Sequence, residues 1–204
     1  MWCFKWWLIW FRTWYLTLHS DLEQKQRDET IIFFSNKSYP ILIATDVASR
    51  GLHIDDIDLV INYDVARDVE THTHRIGRTA RAGKGGLAIS LFSVEDEDKV
   101  EDLKATFDNL QFERVERLSD DLDYKIDSDY RTLFINGGKK QKVRAGDILG
   151  ALTAGIGLAK DDIGKINSLD FCSYVAIKKE HVKKALDGLS NNRIKGKYFK
   201  IYEK

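Results

Sequence analysis

The segment HRIGRTAR, residues 74–81, places three arginines three positions apart, at Arg75, Arg78 and Arg81. A guanidinium is permanently charged, and its planar fork can hold two phosphate oxygens at once. Phosphoryl transfer uses such fixed charges, because negative charge spreads over the oxygens of the moving group. The same arginines could instead form a basic helix face paired with nearby acids, and the segment alone leaves both interpretations open.

A second segment suited to phosphate contact, ATDVASRGLHI, occupies residues 44–54. It follows an apolar run that predicts a buried strand, so Thr45 and Asp46 would lie at the carboxyl end of that strand. Open α/β sheets bind their ligands at this end. Arg50 and Gly51 follow in a turn, where glycine allows a backbone to come close to a ligand.

A third segment, LHSDLEQKQRDE, reads as the start of a helix. Ser20 and Glu23 have the spacing of a capping box, which predicts a helix from there to about Phe34. Gln24 and Arg27 then stand three apart and share one helix face.

Predicted strands and helices alternate through the first part of the chain, and this order favours an open parallel α/β sheet. The predicted strands cover residues 40–45, 59–63, 86–92 and 112–118. The predicted helices cover residues 20–34, 70–82 and 95–110.

An acidic stretch with little periodicity, residues 119–129, predicts a linker to a second domain at 130–204. That domain has the order βαββαβ, the pattern of small RNA-recognition sheets. Its elements are predicted near residues 130–136, 146–154, 162–168, 171–178, 180–189 and 197–202. We expect its sheet face to lack the paired aromatic residues of ordinary RNA-recognition strands. Tyr174 is one candidate for base stacking and Phe134 and Phe171 are candidates for the core, so we do not expect bases to stack on this sheet.

The formal net charge is zero, with 32 basic and 32 acidic residues, but the two signs are unevenly distributed. Residues 127–204 hold 16 Lys and Arg against 9 Asp and Glu, a net of +7, which leaves −7 for residues 1–126. A basic module favours nucleic acid as a partner. Lys139, Lys140, Lys142 and Arg144 form its densest basic loop, and a solvated turn is the alternative interpretation.

Cysteines and histidines indicate no metal site or disulfide framework. Cys3 and Cys172 are far apart, and the H-x-H pair His72 and His74 has no cluster of cysteines or carboxylates to complete a metal centre. We therefore expect no metal ligands and a reducing, cytoplasmic location.

All five tryptophans fall within the first fourteen residues. Lys5 and Arg12 interrupt this apolar stretch, which argues against a membrane anchor, and no cleavage site for a signal peptide follows. The sharp change of composition near Leu16 favours a third interpretation, in which residues 1–17 are an aberrant, non-native start.

Together, the three segments resemble the second RecA-like domain of DEAD-box RNA helicases, over about residues 18–118. HRIGRTAR is similar to motif VI, ATDVASRGLHI to motif V, and LHSDLEQKQR to the segment with the Q-x-x-R motif. YRTLFINGGKKQKVRAGDILGALTAGIGLAKDDIGKI, YVAIKKEHVKKALDGL and IKGKYFKIY closely resemble the RNA-binding domain of the DbpA subfamily. The resemblance implies an α/β fold: a partial RecA-like parallel sheet followed by a small RRM-like domain.

The resemblance also implies roles for individual residues. Arg78 and Arg81 would reach the ATP phosphates and act in catalysis, whereas His74, Arg75 and Asp46 would couple ATP to RNA. The residues implied to contact RNA are Gln24, Arg27, Thr45, Arg50, Gly51, Lys139, Lys140, Lys142 and Arg144. His53 stands where the family usually has an aspartate that reaches the ribose.

Such a helicase needs a G-x-x-x-x-G-K-[ST] loop and the D-E-A-D sequence for ATP and Mg²⁺, and this chain contains neither. We therefore expect the 204 residues alone not to hydrolyse ATP. The family's substrate implies a hairpin of large-subunit ribosomal RNA as partner, in ribosome assembly. We expect a monomer without a membrane partner. A non-enzymatic ribosomal-RNA-binding module, a peripheral membrane protein and a degenerate gene remain as alternatives.

Overall fold

The computed structural model describes residues 14–46, 54, 57–79, 85–114 and 126–204. They belong to two compact units, one formed within residues 1–49 and 121–204 and the other within 50–120. The strands are β1 (Tyr15–Leu18), β2 (Ile41–Ala44), β3 (Leu59–Asn62), β4 (Leu87–Ser90), β5 (Tyr130–Ile135), β6 (Ile163–Ser168), β7 (Ser173–Lys178) and β8 (Ile201–Glu203). The helices are α1 (Gln24–Ser35), α2 (Val69–Ile76), α3 (Glu97–Thr106), α4 (Ala145–Gly150) and α5 (Val182–Asn191).

The carboxyl-terminal part of the first unit is a four-stranded antiparallel sheet in the order β6-β7-β5-β8. Two helices cover one face of it: α4, which continues as a π-helical turn at Ala151–Gly155, and α5. The predicted order βαββαβ is therefore correct. The core between sheet and helices is almost fully enclosed and consists of Leu133, Ile135, Val143, Ile148, Leu152, Leu158, Val175, Ile177, Val182, Ala185, Leu189 and Ile194. Each large aliphatic side chain buried there contributes about 2 kcal/mol.

Strands β1 and β2 run parallel in the same unit, with α1 as the connection between them. Strand β1 was not predicted, because Tyr15–Leu18 adjoins the aromatic-rich start and shows no isolated apolar run. A boundary at residue 17 would cut this strand. The interpretation of the preceding residues as a non-native start stays a prediction, because residues 1–13 lie outside the described part.

Helix α1 begins later than its predicted capping box. Its cap is one turn further on, where the Glu23 N–H donates to Gln26 Oε1 at 3.0 Å. Ser20 instead donates its hydroxyl hydrogen to Asp21 at 3.1 Å. The prediction of a capping box at Ser20 and Glu23 was therefore wrong, because the glutamine makes the reciprocal bond that stabilises the first turn.

The second unit contains the parallel pair β3 and β4 with helices α2 and α3. Helix α2 ends at Ile76, with Gly77 as its C-cap, and so is shorter than the predicted helix 70–82. Residues 112–114 of the predicted last strand form no strand, and its remaining residues, 115–118, lie outside the described part. The two parallel pairs, β1 with β2 and β3 with β4, and the helix-covered sheet of residues 130–203 confirm the predicted α/β class.

The outer face of the four-stranded sheet, opposite the helices, carries more aromatic side chains than expected. Phe134, Tyr174 and Tyr202 lie side by side on it, and Phe171 is exposed rather than part of the core. The expectation that this face lacks paired aromatic residues was therefore wrong. Alternation along each strand separates these side chains from the core residues between them, and only the strand register shows that they are neighbours.

Candidate nucleotide and RNA sites

Helix α2 positions the first of the three arginines. Asp68 caps the helix, with its carboxylate accepting from the Thr71 N–H at 2.7 Å, and this hydrogen bond holds the pKa of Asp68 below its usual value. One residue before the helix ends, Arg75 Nη1 donates to the backbone oxygen of Asp64 at 2.7 Å. This bond orients the half-buried Arg75 towards the segment after β3, while His74 beside it is exposed.

Arg78 lies beyond the helix rather than on it. Its carbonyl oxygen accepts from the Ile57 N–H at 3.3 Å, and the Thr79 hydroxyl donates to the Ile57 carbonyl. These bonds hold the chain immediately after the half-buried Arg78 side chain. The prediction of three arginines on one helix was therefore wrong, because Gly77 ends α2 before Arg78. Arg81 lies outside the described residues.

His72, the first histidine of the H-x-H pair, is part of the hydrophobic packing. It is buried, and its ring meets Phe107 of the segment after α3 edge-on, with centroids 5.6 Å apart. Burial, together with the charge of Arg75, lowers the pKa of His72, so the ring is neutral at pH 7. The described residues contain no group of three or more His, Cys, Asp or Glu side chains that could hold a metal ion.

Thr45 and Asp46 follow β2 at the edge where β1 also ends. Leu18 pairs with Ala44, and the Thr45 N–H extends this ladder by donating to the Leu18 carbonyl at 3.1 Å. The structure thus places Thr45 and Asp46 at the predicted carboxyl edge of a parallel pair. The neighbouring segment of that motif, including Arg50 and Gly51, lies outside the described residues.

Helix α1 starts from the same edge and carries the Q-x-x-R residues. Gln24 is exposed and donates through Nε2 to Asp28 Oδ1 at 2.7 Å, whereas Arg27 is half-buried. Both residues lie in the first helical turn, as their spacing predicts.

The basic loop lies between β5 and α4, and its backbone is firmly held. The N–H groups of Lys139 and Lys140 donate to the carbonyls of Leu169 and Asp170, each at 2.8 Å. Lys142 has a left-handed backbone conformation with φ 63°, which is unusual for a residue with a side chain. These bonds fix the backbone of the loop. All of its basic side chains are exposed to solvent.

A cleft beside the loop brings part of the basic cluster together. It has a volume of about 440 Å³ and is lined by Lys139, Arg144, Ala145 and Ser168. Ser168 donates its hydroxyl hydrogen to the Val143 carbonyl at 2.9 Å, which ties β6 to the loop. Two cations beside an open cleft suit the phosphate backbone of RNA, whereas sequence-specific contacts would need groups that meet the bases.

Sequence reasoning missed two features of these sites, Ser168 in the cleft and the aromatic face of the sheet. Ser168 gives no signal in the sequence, because its position depends on how the turn after β6 folds back on the basic loop. Alternation along the predicted strands could have placed Phe134, Tyr174 and Tyr202 on the face opposite the core, but only the strand register makes them neighbours.

Comparison with known proteins identifies two families along the chain. Residues 10–83 match the helicase conserved C-terminal domain, and residues 132–203 match the DbpA RNA binding domain. Among the helices that the structure describes, none combines the length and apolar character needed to cross a membrane.

Two curated relatives are ATP-dependent RNA helicases DbpA. The protein of Escherichia coli K12 is 44% identical over 188 residues, 91% of this chain and 40% of that protein. The protein of Bacillus subtilis 168 is 33% identical over 206 residues, 90% of this chain and 43% of that protein. The C-terminal domain of the DEAD-box protein Dbp5 is a similar solved structure, 30% identical with a TM-score of 0.48, covering 53% of this chain and 64% of that one.

The chain therefore spans less than half the length of these curated relatives. It carries both matched domains in order, the helicase C-terminal domain followed by the DbpA RNA binding domain. By these matches the chain belongs to the DbpA group of DEAD-box ATP-dependent RNA helicases.

Proposed function

We propose that this chain provides the second RecA-like domain and the RNA-binding domain of an ATP-dependent helicase acting on large-subunit ribosomal RNA in ribosome assembly. The observation that carries the proposal is the basic cleft at Lys139 and Arg144, formed within the segment that matches the DbpA RNA binding domain. The partner in this proposal is a ribosomal RNA hairpin, bound by a cytoplasmic monomer.

The basic loop supplies most of the affinity for the hairpin in this proposal. Replacing Lys139, Lys140 and Lys142 together by alanine should weaken binding of a large-subunit rRNA hairpin about tenfold at moderate salt, because three phosphate contacts are lost. Fluorescence anisotropy of a labelled hairpin measures this with the full chain. The backbone bonds of the loop do not involve these side chains, so the fold should persist.

The matched control replaces Lys160, Lys183 and Lys184 by alanine. These three lysines are exposed and lie outside the cleft lining. Their replacement removes the same amount of positive charge from the same domain. The control variant should lose less than twofold in affinity. A loss of less than twofold in the loop variant, or an equal loss in both variants, would contradict the assignment of the loop.

The arginines serve ATP in this proposal. Arg78 and Arg81 contact its phosphates, and His74, Arg75 and Asp46 couple the nucleotide to RNA held by Gln24, Arg27, Thr45, Arg50 and Gly51. Guanidinium groups suit phosphate oxygens, so the donors present fit this role. ATP with Mg²⁺ supplies the phosphoryl-transfer chemistry when bound to the whole enzyme. The phosphate-binding loop and the D-E-A-D sequence are not among the 204 residues.

The 204-residue chain should accordingly show no RNA-stimulated hydrolysis of ATP, because its arginines have no phosphate-binding loop to act with. Phosphate release by the purified chain, with ATP, Mg²⁺ and the hairpin present, measures this. Arg78→Ala is the control for contaminating hydrolases. RNA-stimulated release of phosphate by the chain, absent in Arg78→Ala, would contradict the prediction.

A non-enzymatic rRNA-binding module is the second candidate function. It is favoured by the complete βαββαβ sheet and its cleft, neither of which uses a residue assigned to ATP. Expression of the chain in cells with an intact DbpA helicase would distinguish the two. Accumulation of incomplete large subunits that depends on the three loop lysines favours the module.

A further inference from the structure

Three aromatic side chains form a continuous row across the outer face of the four-stranded sheet. Phe134 on β5 is the register partner of both Tyr174 on β7 and Tyr202 on β8. Its ring lies 5.3 Å from that of Tyr174, edge-on, and 4.7 Å from that of Tyr202, stacked at 24°. Lys204 Nζ lies 5.7 Å from the centroid of Phe134 and 6.0 Å from that of Tyr202.

Such a row has the chemistry of a single-stranded RNA site. Aromatic rings on a sheet stack with unpaired bases regardless of sequence, and a lysine at their edge meets the phosphates between the bases. Tyr202 is 46% exposed, so one end of the row is open to solvent. The row is a different surface from the basic cleft, which lies at the end of the sheet beside the loop before α4.

Helix α1 covers the other end of the row. Phe33 of α1 meets the ring of Tyr174 edge-on, with centroids 5.8 Å apart, and Tyr174 is only 1% exposed. The Tyr174 hydroxyl donates to Glu29 Oε1 at 2.7 Å, and Lys204 Nζ lies 3.9 Å from the same oxygen. A carboxylate of the helix thus sits between a hydroxyl donor and an ammonium, as a phosphate oxygen of bound RNA would.

The cover also includes polar contacts and a small apolar cluster. Asn36 donates through Nδ2 to Thr132 Oγ1 at 3.2 Å, and the hydroxyls of Ser38 and Thr132 are 2.7 Å apart. The buried apolar part of the interface consists of Ile32, Phe33 and Tyr174. Hydrogen bonds of this kind make a small net contribution to stability, and contacts with RNA can replace them.

We propose that the outer sheet face is a second RNA site, for a single strand, and that helix α1 closes it with Glu29 in the place of an RNA phosphate. RNA binding there releases α1, the helix that carries Gln24 and Arg27. The inference rests on the proposed RNA-binding function, and it couples the two RNA-contacting parts of the unit through the contacts of Glu29 with Tyr174 and Lys204.

The test uses the full chain and a fluorescein-labelled decauridine, whose anisotropy reports binding. Tyr202→Ala should weaken binding at least fivefold, because a base loses its stacking partner. Tyr198→Ala is the matched control, since Tyr198 is also an exposed tyrosine of this domain but packs against Arg193 away from the row. Tyr202→Leu, which keeps an apolar contact on Phe134, should weaken binding while preserving the fold. Unchanged affinity in Tyr202→Leu overturns the site.

A substitution at Glu29 tests whether helix α1 closes the aromatic row. Glu29→Ala removes both the bond to Tyr174 and the charge near Lys204, so decauridine should bind at least threefold more tightly. Glu180→Ala, at an exposed acid of the same domain, controls for the general loss of negative charge. Unchanged or weaker binding in Glu29→Ala, or a gain equalled by Glu180→Ala, overturns the closure.

Measuring hairpin affinity alongside decauridine affinity in the same variants tests the second site and the proposed function separately. Tyr202→Leu should leave hairpin affinity unchanged, and the triple loop variant should leave decauridine affinity within threefold. Loss of hairpin binding in the loop variant with no effect of Tyr202→Leu on decauridine would retain the proposed function and reject only the second site.

Discussion

At the scale of single residues, the H-x-H pair separates a structural histidine from an exposed one. His72 is buried against Phe107, whereas His74 projects into solvent two positions later. Helical periodicity explains this, because residues two apart point to different sides of a helix. The sequence identified both histidines as a pair, but burial distinguishes their chemistry.

Burial of His72 predicts a dependence of stability on pH. Its pKa is lowered in the folded chain, so between that value and the ordinary value near 6.5 the unfolded chain binds more protons. The contribution of His72 is therefore fully present above about pH 7 and is lost progressively as the pH falls below the ordinary value near 6.5. Chemical denaturation at a series of pH values should show a decreasing free energy of unfolding over this range.

Two variants make the test specific. His72→Phe keeps a ring of similar size against Phe107 and should flatten the pH dependence below about pH 7. His74→Gln, at the exposed neighbour, should leave the dependence unchanged. Asp68, whose pKa is lowered, loses its stabilising charge only at more acidic pH and does not contribute in this window. A slope that survives in His72→Phe would refute the assignment.

At the scale of elements, the RNA-binding domain was easier to predict than the rest. Its strands lie within a few residues of their predicted bounds, because each apolar run is separated by a turn or a charged stretch. Helix α2 was predicted too long, since a single glycine within a polar segment gives little sign that it caps a helix. The aromatic face depends on strand register, and the cover by α1 depends on contacts between residues about 145 positions apart.

Gly138, in the turn that begins the basic loop, lies too close to neighbouring backbone atoms for a larger side chain. A methyl group on Gly138 would lie 2.3 Å from the Leu169 carbonyl oxygen and 2.7 Å from the Cys172 nitrogen, and backbone atoms cannot move aside easily. Gly138→Ala should therefore lower the free energy of unfolding by about 2 kcal/mol. It should also weaken hairpin binding, because the same backbone approach positions Lys139.

Gly150→Ala is the matched control for that substitution. Gly150 has helical dihedral angles, φ −62° and ψ −40°, and no atom lies within 4 Å of the added methyl group. The control should raise the free energy of unfolding by about 0.5 kcal/mol, since alanine favours helices more than glycine. Denaturant titration of both variants measures the pair, and equal stabilities for the two would contradict the close approach at Gly138.

At the scale of the whole molecule, the uneven distribution of charge indicates how RNA is held. The net charge is +7 after residue 126 and −7 before it, so a chain with zero overall charge still presents a basic domain. Binding that depends on phosphate contacts releases counterions, and its affinity falls linearly with the logarithm of salt concentration. Local positive charge, rather than the total, therefore sets the response to salt.

Removing the three loop lysines should reduce that response. Each phosphate contact contributes roughly 0.7 to 0.9 to the slope of log affinity against log salt, so the triple alanine variant should have a slope smaller by about 2. Anisotropy titrations of the hairpin at four potassium chloride concentrations measure the slope. The variant at Lys160, Lys183 and Lys184 should keep the slope of the wild-type chain. Equal slopes for the wild-type chain and the loop variant would mean that the loop lysines do not meet phosphates, and that any loss of affinity has another origin.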